Sequence, residues 1–186
     1  MKQTLREVYR MRKLFMMIAV LFVAAAPAEA QESYPSAEIF GGYAYFNADF
    51  LDREDLHGFG LSFTGNLGPR VGLVAEFSGH YGKIDIPGAE LDFSTYTFLF
   101  GPRFSARSDR VTAFGHILVG GVRSKIEDFD GNTDFALALG GGVDVTASPS
   151  IGIRLFQVDY IPVRVGGDWG HNFRLMSGIV FRLGNQ

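Results

Sequence analysis

The chain has 186 residues and a formal net charge of −3, with 18 Phe, 7 Tyr and 24 Gly residues but no Cys. This length fits one domain, and the missing cysteines exclude disulfide scaffolds, cysteine-ligated zinc and thiol catalysis. Because aromatic residues fit pleated sheets and glycine serves turns and tight packing, the composition favours strands over helices. The acidic charge offers no basic surface for nucleic acid, so no nucleic-acid partner is expected.

The first 30 residues have the composition of a cleaved signal peptide. Basic residues precede an almost wholly apolar run over residues 14–26, and Ala28 and Ala30 supply an A-x-A cleavage site. The run is shorter than the roughly 20 residues of a spanning helix. We therefore predict a signal peptide over residues 1–30, cleaved after Ala30, with either Met1 or Met11 as its start. A retained membrane anchor is the alternative. The mature domain, residues 31–186, then carries 12 basic and 18 acidic residues.

The rest of the chain contains eight segments in which large and small residues tend to alternate. The alternation is clean in residues 56–67, 71–82, 135–146 and 172–183, and less regular in residues 37–48, 91–105, 111–124 and 151–163. A period of two places the large side chains on one face of a strand and the small or polar ones on the other. Segments of this length are long for a globular strand but suit a tilted strand that crosses a bilayer.

The connections between these segments alternate in length. Residues 68–70, 106–110 and 147–150 are short turns, whereas residues 47–55, 83–90, 125–134 and 164–170 are longer loops, the last of which contains the single tryptophan, Trp169. Transmembrane barrels have short periplasmic turns and longer external loops. The pattern predicts an all-β fold, an eight-stranded antiparallel up-and-down transmembrane β-barrel with both termini on the periplasmic side.

The position of the large face separates a membrane barrel from a soluble one. Eight strands enclose only enough room for side chains, so the face rich in Phe, Leu, Ile and Val fits outside, against lipid. A soluble periplasmic lipocalin-like carrier would place that face inside, and it stays as an alternative. Aromatic residues near the loop ends of the strands resemble an interfacial girdle; they are Tyr43, Tyr45, Tyr81, Tyr96, Tyr160 and Trp169.

With these elements placed, the mature chain resembles the OmpA/OmpX-like outer membrane protein beta-barrel domain family over nearly its full length. Members of that family end in an assembly signal, which is a polar residue, a Gly two positions later and two hydrophobic residues. Met176, Gly178, Phe181 and Leu183 have this spacing. The chain departs from the pattern in that Met176 replaces the polar residue and three residues, 184–186, follow where a terminal Phe is common. The resemblance implies insertion by the barrel-assembly machinery.

Charged residues on the small face predict a network inside the barrel. Buried charges must pair or incur a desolvation cost of several kcal/mol, so salt bridges are expected to fill the lumen. The candidate members are three acids and three bases: Glu38, Glu76, Asp144, Arg103, Arg174 and Arg182. His80 and His116 are expected to be hydrogen-bonded interior histidines. Arg154 could face either the lumen or an interface, because its strand does not fix its orientation.

The sequence shows no catalytic or cofactor motif. Lipid A deacylase barrels use an H-x-S pair in which His activates Ser, and none of the four His residues here has a Ser two positions later. Four carboxylates crowd the third long loop, namely Glu127, Asp128, Asp130 and Asp134. Such oxygen ligands could chelate Ca²⁺, but the spacing is not that of an EF-hand, so a solvated acidic loop is the favoured interpretation.

The sequence thus predicts a monomeric, non-enzymatic barrel of the cell outer membrane, without cofactor or metal, that contributes to envelope integrity or surface interaction. Its expected partners are outer-membrane lipid and lipopolysaccharide, together with the barrel-assembly machinery during insertion. The alternatives are a narrow pore for small solutes, a soluble periplasmic lipocalin-like carrier and a lipid A-modifying barrel enzyme.

Overall fold

The computed structural model describes residues 33–48, 54–86, 89–126 and 133–184. These residues form eight antiparallel strands: β1 (Ala37–Ala48), β2 (Glu54–Asn66), β3 (Val71–Ile86), β4 (Ala89–Arg107), β5 (Val111–Ile126), β6 (Thr133–Ser148), β7 (Ile151–Val165) and β8 (Asp168–Leu183). Each strand pairs with the next, and β1 also pairs with β8, so the sheet closes into an up-and-down barrel. The predicted fold and all eight predicted strand segments are confirmed.

Among the described residues, no helix is both long enough and apolar enough to span a membrane. The predicted signal peptide and its cleavage site after Ala30 lie outside the described residues, so both stay predictions.

The two faces of the wall differ as the alternation predicts. On β2, Phe59, Leu61 and Phe63 point outward and are 37%, 48% and 53% exposed, whereas Ser62 and Thr64, which alternate with them, are buried in the lumen. The same arrangement continues around the barrel, where Leu, Ile, Val and Phe side chains cover the outside. A soluble protein does not expose an apolar surface of this size. The outward apolar face therefore excludes the lipocalin-like carrier.

At the end where β1 begins and β8 ends, the connections are short. Four residues, 67–70, join β2 to β3, three join β4 to β5, and Pro149-Ser150 joins β6 to β7. The chain before β1 is attached to the same end, because Asn66 donates its backbone N–H to the carbonyl of Ser36 at 2.9 Å and its side-chain amide to Pro35 at 2.8 Å. By the usual orientation of such barrels this end faces the periplasm.

At the opposite, outer end, two of the four predicted long loops are wrong. Residues 83–86 continue β3 and β4 begins at Ala89, because the alternation in Lys83-Ile84-Asp85-Ile86 carries the strand onward. The predicted loop at 164–170 is a two-residue turn at Gly166 and Gly167, whose φ values are 61° and 107°. Glycine adopts these angles without strain, which is what a tight hairpin needs. Trp169 consequently lies in β8 rather than in a loop.

The other two predicted long loops lie partly outside the described residues, since these omit 49–53 and 127–132. The carboxylates Glu127, Asp128 and Asp130 fall in the second gap, while Asp134 belongs to β6. Among the residues that are described, no group of His, Cys, Asp and Glu could hold a metal ion. The choice between a calcium site and a solvated acidic loop is therefore untested.

Aromatic side chains mark the outer edge of the apolar band. The Tyr43 hydroxyl lies 2.5 Å from Nδ1 of His57, and the two rings stack. Tyr96 donates to the Tyr81 hydroxyl at 3.3 Å, and Tyr160 bonds to His171 and stacks on it. This arrangement is that of an interfacial girdle, in which the ring contacts the apolar layer and the hydroxyl meets polar groups.

Beyond this edge, Asp55 sits at the start of the outward face of β2. The Tyr45 hydroxyl donates to Asp55 at 2.5 Å and the Asn47 amide donates to the same oxygen at 3.0 Å. Both hydrogen bonds favour the ionised form of the Asp55 carboxylate.

We expect heat-dependent mobility on a detergent gel. Closure of β1 on β8 leaves no free edge, so a folded barrel resists detergent until it is heated. Outer-membrane samples kept cold should therefore migrate differently from boiled samples. A protein that is recovered in the soluble periplasmic fraction and shows no shift would contradict the membrane barrel.

Candidate functional site

The lumen is the candidate site, because it gathers nearly all the charged side chains that the strands bury. The network begins at the periplasmic end with Glu38 on β1. Arg103 on β4 approaches Glu38 at 3.1 Å, and Arg107, the last residue of β4, approaches it at 2.7 Å. Arg107 also donates to Asn66 at 3.1 Å, which links β1, β2 and β4 across the lumen.

Asp144 on β6 forms the middle of the network. It accepts a bond from Arg103 at 3.3 Å and bonds at 2.8 and 3.1 Å from Nε and a terminal nitrogen of Arg154 on β7. Both guanidinium groups also lie over the ring of Phe114, at 4.0 Å and 4.5 Å from its centroid. An arginine over an aromatic face gains cation–π attraction. The charges are therefore held by partners on several sides.

Farther toward the outer end, Gln157 and Arg174 join the opposite walls. The Gln157 amide accepts a bond from Arg154 at 2.6 Å and donates to Glu76 at 2.9 Å and to Asp159 at 2.8 Å. Arg174 on β8 contacts Glu76 on β3 and donates to Asp159 on β7 at 2.7 Å.

The remaining partners of this group come from three other side chains. The second Asp159 oxygen lies 2.7 Å from Nε2 of His116 on β5. Arg174 also donates to Ser78 at 2.9 Å and to Thr97 at 3.2 Å. One connected set of side chains therefore runs from Glu38 to Arg174 and His116.

The charges of this set balance. Four carboxylates face four guanidinium groups, all with little solvent exposure, and Arg103, Arg154 and Arg174 are at most 2% exposed. The carboxylates are Glu38, Glu76, Asp144 and Asp159, and the guanidinium groups are those of Arg103, Arg107, Arg154 and Arg174. A buried ion pair overcomes its desolvation only when further hydrogen bonds satisfy it. These arginines have such bonds to Thr64, Asn66, Gln157, Ser78 and Thr97.

An apolar layer fills the lumen mostly beyond the network, toward the outer end, and only its Val74 lies on the periplasmic side of Glu76 on β3. It is a cluster of buried side chains from β1 to β7: Phe46, Leu56, Val74, Phe93, Leu99, Leu118, Val122, Ala136, Ala138, Ile161 and Val163. Phe46 also packs its ring against that of His80, with 4.9 Å between the centroids. The lumen is therefore filled by a charged network and by an apolar layer, and in both the side chains contact one another.

Five of the six predicted lumen charges lie in this network, namely Glu38, Glu76, Arg103, Asp144 and Arg174. The sixth, Arg182, is half-buried near the periplasmic end and donates to Thr146 at 2.8 Å. His116 meets Asp159 as an interior hydrogen-bonded histidine. His80 does not fit that expectation, because neither of its ring nitrogens has a partner in hydrogen-bond geometry among the described residues.

A bulge explains the network members that the alternation did not identify. The pairing of β7 with β8 shifts between Arg154 and Gln157, and Leu155 and Phe156 both point outward as a result. Even-numbered residues face the lumen before the shift and odd-numbered residues after it, which places Gln157 and Asp159 inside. A carboxylate in the middle of a spanning strand is costly on the lipid face, and this cost could have identified Asp159 from the sequence.

Gly140 provides the space for Asp159. A Cβ at this position on β6 would lie 1.9 Å from Oδ1 of Asp159 and 2.5 Å from the carbonyl oxygen of Val158. A side chain there would displace either the carboxylate or the backbone of β7. The glycine is therefore part of the site, since it lets Asp159 reach both His116 and Arg174.

Comparison with known proteins agrees with this geometry. The family model of the outer membrane protein beta-barrel domain matches residues 16–181. The chain belongs to this family. It is accordingly a protein of the outer membrane. No curated protein matches the sequence.

Solved structures of outer-membrane barrels share the fold. Neisserial surface protein A is similar with a TM-score of 0.64 and 12% identity, over 82% of this chain and all of that one. Ail, the attachment invasion locus protein of Yersinia pestis, is similar with a TM-score of 0.55 and 19% identity, over 80% of this chain and 99% of that one. A second Ail structure, in complex with the heparin analogue sucrose octasulfate, has a TM-score of 0.54 and 20% identity over the same shares.

We expect Asp159→Ala to destabilise the barrel strongly. The substitution leaves Arg174 and His116 without the carboxylate that holds them in the lumen, and breaking a buried pair costs about 3–5 kcal/mol. The free energy of unfolding, measured with urea in lipid vesicles, should fall by roughly this amount. Asp109→Ala, in an exposed periplasmic turn, is the matched control and should change it by less than about 0.5 kcal/mol. Equal effects of the two variants would contradict the structural role of the network.

Proposed function

We propose that this barrel is a non-enzymatic, non-conducting protein of the outer membrane that supports envelope integrity or a surface interaction. The observation that carries the proposal is the filled lumen. Arg174 reaches from β8 to Glu76 on β3 and Asp159 on β7, so single side chains span the interior. A barrel filled in this way acts through its outer end and its lipid-facing surface.

The filled lumen argues against the narrow pore. A conducted ion needs a continuous path of water or of exchangeable polar ligands. In this lumen the members of the charged network are bonded to each other, and most of the apolar layer lies between them and the outer end. An apolar constriction blocks ions because water leaves it. Opening a path would require both the charged set and the apolar layer to rearrange.

We expect purified, refolded protein to give no stable openings in planar-bilayer recordings. The charged network and the apolar layer together block the passage of ions through the lumen. Heat-dependent mobility should first show that the vesicles contain folded barrel. The absence of channel openings then cannot be caused by failed insertion. Reproducible unitary conductance from folded wild-type protein would favour the pore and overturn this part of the proposal.

The histidines support a non-enzymatic role. A hydrolase that acts on lipid needs a base and a nucleophile within hydrogen-bond reach, accessible from the bilayer surface. His80 and His116 are buried in the lumen. His57 and His171 point outward, and their Nδ1 atoms meet the hydroxyl groups of Tyr43 and Tyr160. The sequence places no serine two positions after any of the four.

The outer segments support a surface interaction through their charge. Residues 47–55, 83–92, 125–134 and 164–171 together hold 12 acidic and 4 basic residues. This excess is larger than the negative charge of the whole domain after residue 30, which has 18 acidic and 12 basic residues. Ail binds a sulfated, anionic sugar analogue. The acidic outer segments of this chain instead favour a cationic partner, because like charges across an interface repel.

A deletion strain tests this role. Cells that lack the protein should bind less to a polylysine-coated surface, become more sensitive to detergent, or both, and the wild-type gene should restore these properties. Complementation with a Glu127→Gln, Asp128→Asn, Asp130→Asn variant should fail to restore polylysine binding, since it removes three outer carboxylates. The control is Asp109→Asn, at the periplasmic end, which should restore binding.

Two results would overturn the surface proposal. One is a deletion strain with unchanged detergent sensitivity and unchanged binding to polylysine and to heparin. The other is binding to heparin rather than polylysine, which would show that the outer charge does not select the partner.

A further inference from the structure

On β5 and β7 the outward cations among the described side chains all lie toward the outer end, and they are Arg123, Lys125 and Arg164. On β5 the outward residues from Val111 to Gly121 are uncharged, and Arg123 is the next outward residue. On β7 the outward residues from Ile151 to Pro162 are uncharged, and Arg164 follows. Both arginines are exposed. The arginines therefore end the apolar surface of their strands.

Strand geometry gives the depth of this level. A strand rises about 3.3 Å per residue and tilts by roughly 40° in a membrane barrel, whose apolar band is about 25 Å tall. The ten residue-to-residue steps from Val111 to Gly121 thus climb about 25 Å along the barrel axis. Arg123 lies just beyond the apolar band. Arg164 ends a similar uncharged stretch, from Ile151 to Pro162, in which the bulge at Leu155 and Phe156 adds one residue without adding height.

An aromatic residue stands beside each arginine in the sheet. Tyr96 on β4 is the direct partner of Arg123. Arg164 lies between Phe135 on β6 and Trp169 on β8 in the pairing register, and both of these side chains are exposed on the outside. We name these five residues the basic strip: Arg123, Arg164, Tyr96, Phe135 and Trp169. It covers one side of the barrel, from β4 to β8.

The opposite wall differs at this level. The outward residues there are Tyr45 and Asn47 on β1, Asp55 and His57 on β2, and Tyr81 on β3. Among the residues whose side chains the structure describes, this wall carries no outward Arg or Lys. Among the side chains that the structure describes, the outward cations at this level lie on the side of β5 and β7.

We propose that the basic strip binds the phosphate groups of lipopolysaccharide in the outer leaflet. The strip lies at the headgroup level of the outer end, where that lipid forms the leaflet. Arginine binds phosphate through paired N–H groups, and the aromatic rings offer faces to the sugar. The two arginines are two strands apart and about two residues out of register, so their Cα atoms lie on the order of 12 Å apart. This spacing suits a disaccharide headgroup with a phosphate at each end.

The single tryptophan of the chain, Trp169, belongs to the strip and reports on its occupancy. Folded protein in detergent should show a saturable change in Trp emission when bisphosphorylated lipid A is added. Dephosphorylated lipid A and phosphatidylglycerol should produce a much weaker response. The Arg123→Ala, Arg164→Ala double variant should bind bisphosphorylated lipid A at least about tenfold more weakly, the loss expected when hydrogen bonds to a charged group are removed.

The control is Arg110→Ala, which removes an exposed arginine from the periplasmic turn before β5 and should leave the apparent Kd within about twofold. Arg123→Gln, Arg164→Gln keeps side-chain polarity and should show the same loss as the alanine pair. Each variant is first shown to be folded by its heat-dependent mobility.

Equal responses to bisphosphorylated and dephosphorylated lipid A would overturn the phosphate site, as would unchanged binding by either double variant. An equal response to phosphatidylglycerol would show that the strip does not select lipopolysaccharide. Phosphate binding by the basic strip is independent of the surface interaction proposed above. A negative result for phosphate binding would therefore not contradict the surface interaction.

Discussion

Every backbone amide and carbonyl in the hydrocarbon layer must find its partner inside the protein, because no water is present to replace one. Pairing of β1 with β8 satisfies this constraint by removing both sheet edges. Closure with eight strands also limits the diameter of the lumen to what side chains can fill. The rest of the structure depends on this limit. Large residues must point to lipid, and whatever points inward must pack against the opposite wall.

The content of the lumen follows from that limit. Long polar side chains can span the interior, and Arg174 does so by reaching Glu76 and Asp159 on other strands. Such charges tie together strands that do not pair in the sheet. The apolar cluster beyond them works differently, since it excludes water without requiring directed bonds. Glu38 and Arg103 are an example of charge pairing across the lumen, and Phe46 is an example of apolar packing. A lumen with charged side chains alone would leave some of them unpaired. A lumen with apolar side chains alone would lack the directed bonds that fix the positions of the strands.

The sequence was sufficient to predict the closed barrel and the direction of most side chains, because a period of two is a property of the strand itself. Glu38 and Arg103 could be placed inside on this basis alone. The bulge after Arg154 could not, since one extra residue reverses the orientation of Gln157 and Asp159 without changing the composition of β7. Trp169 was misplaced for a related reason. The glycine pair before it permits a two-residue turn, and the sequence alone does not distinguish such a turn from a longer loop.

The distribution of charge along the barrel axis separates structure from recognition. Inside the wall, four carboxylates and four guanidinium groups neutralise each other, so the lumen exerts little net field on its surroundings. The charges with a net sign lie at the ends of the strands. At the outer end the sequence of the connecting segments is acidic, whereas Arg123 and Arg164 face outward on β5 and β7. These two layers attract ligands of opposite charge. Under the two proposals made above, the arginines bind the anionic leaflet and the acidic segments bind a cationic partner, so the two sites do not compete for one ligand.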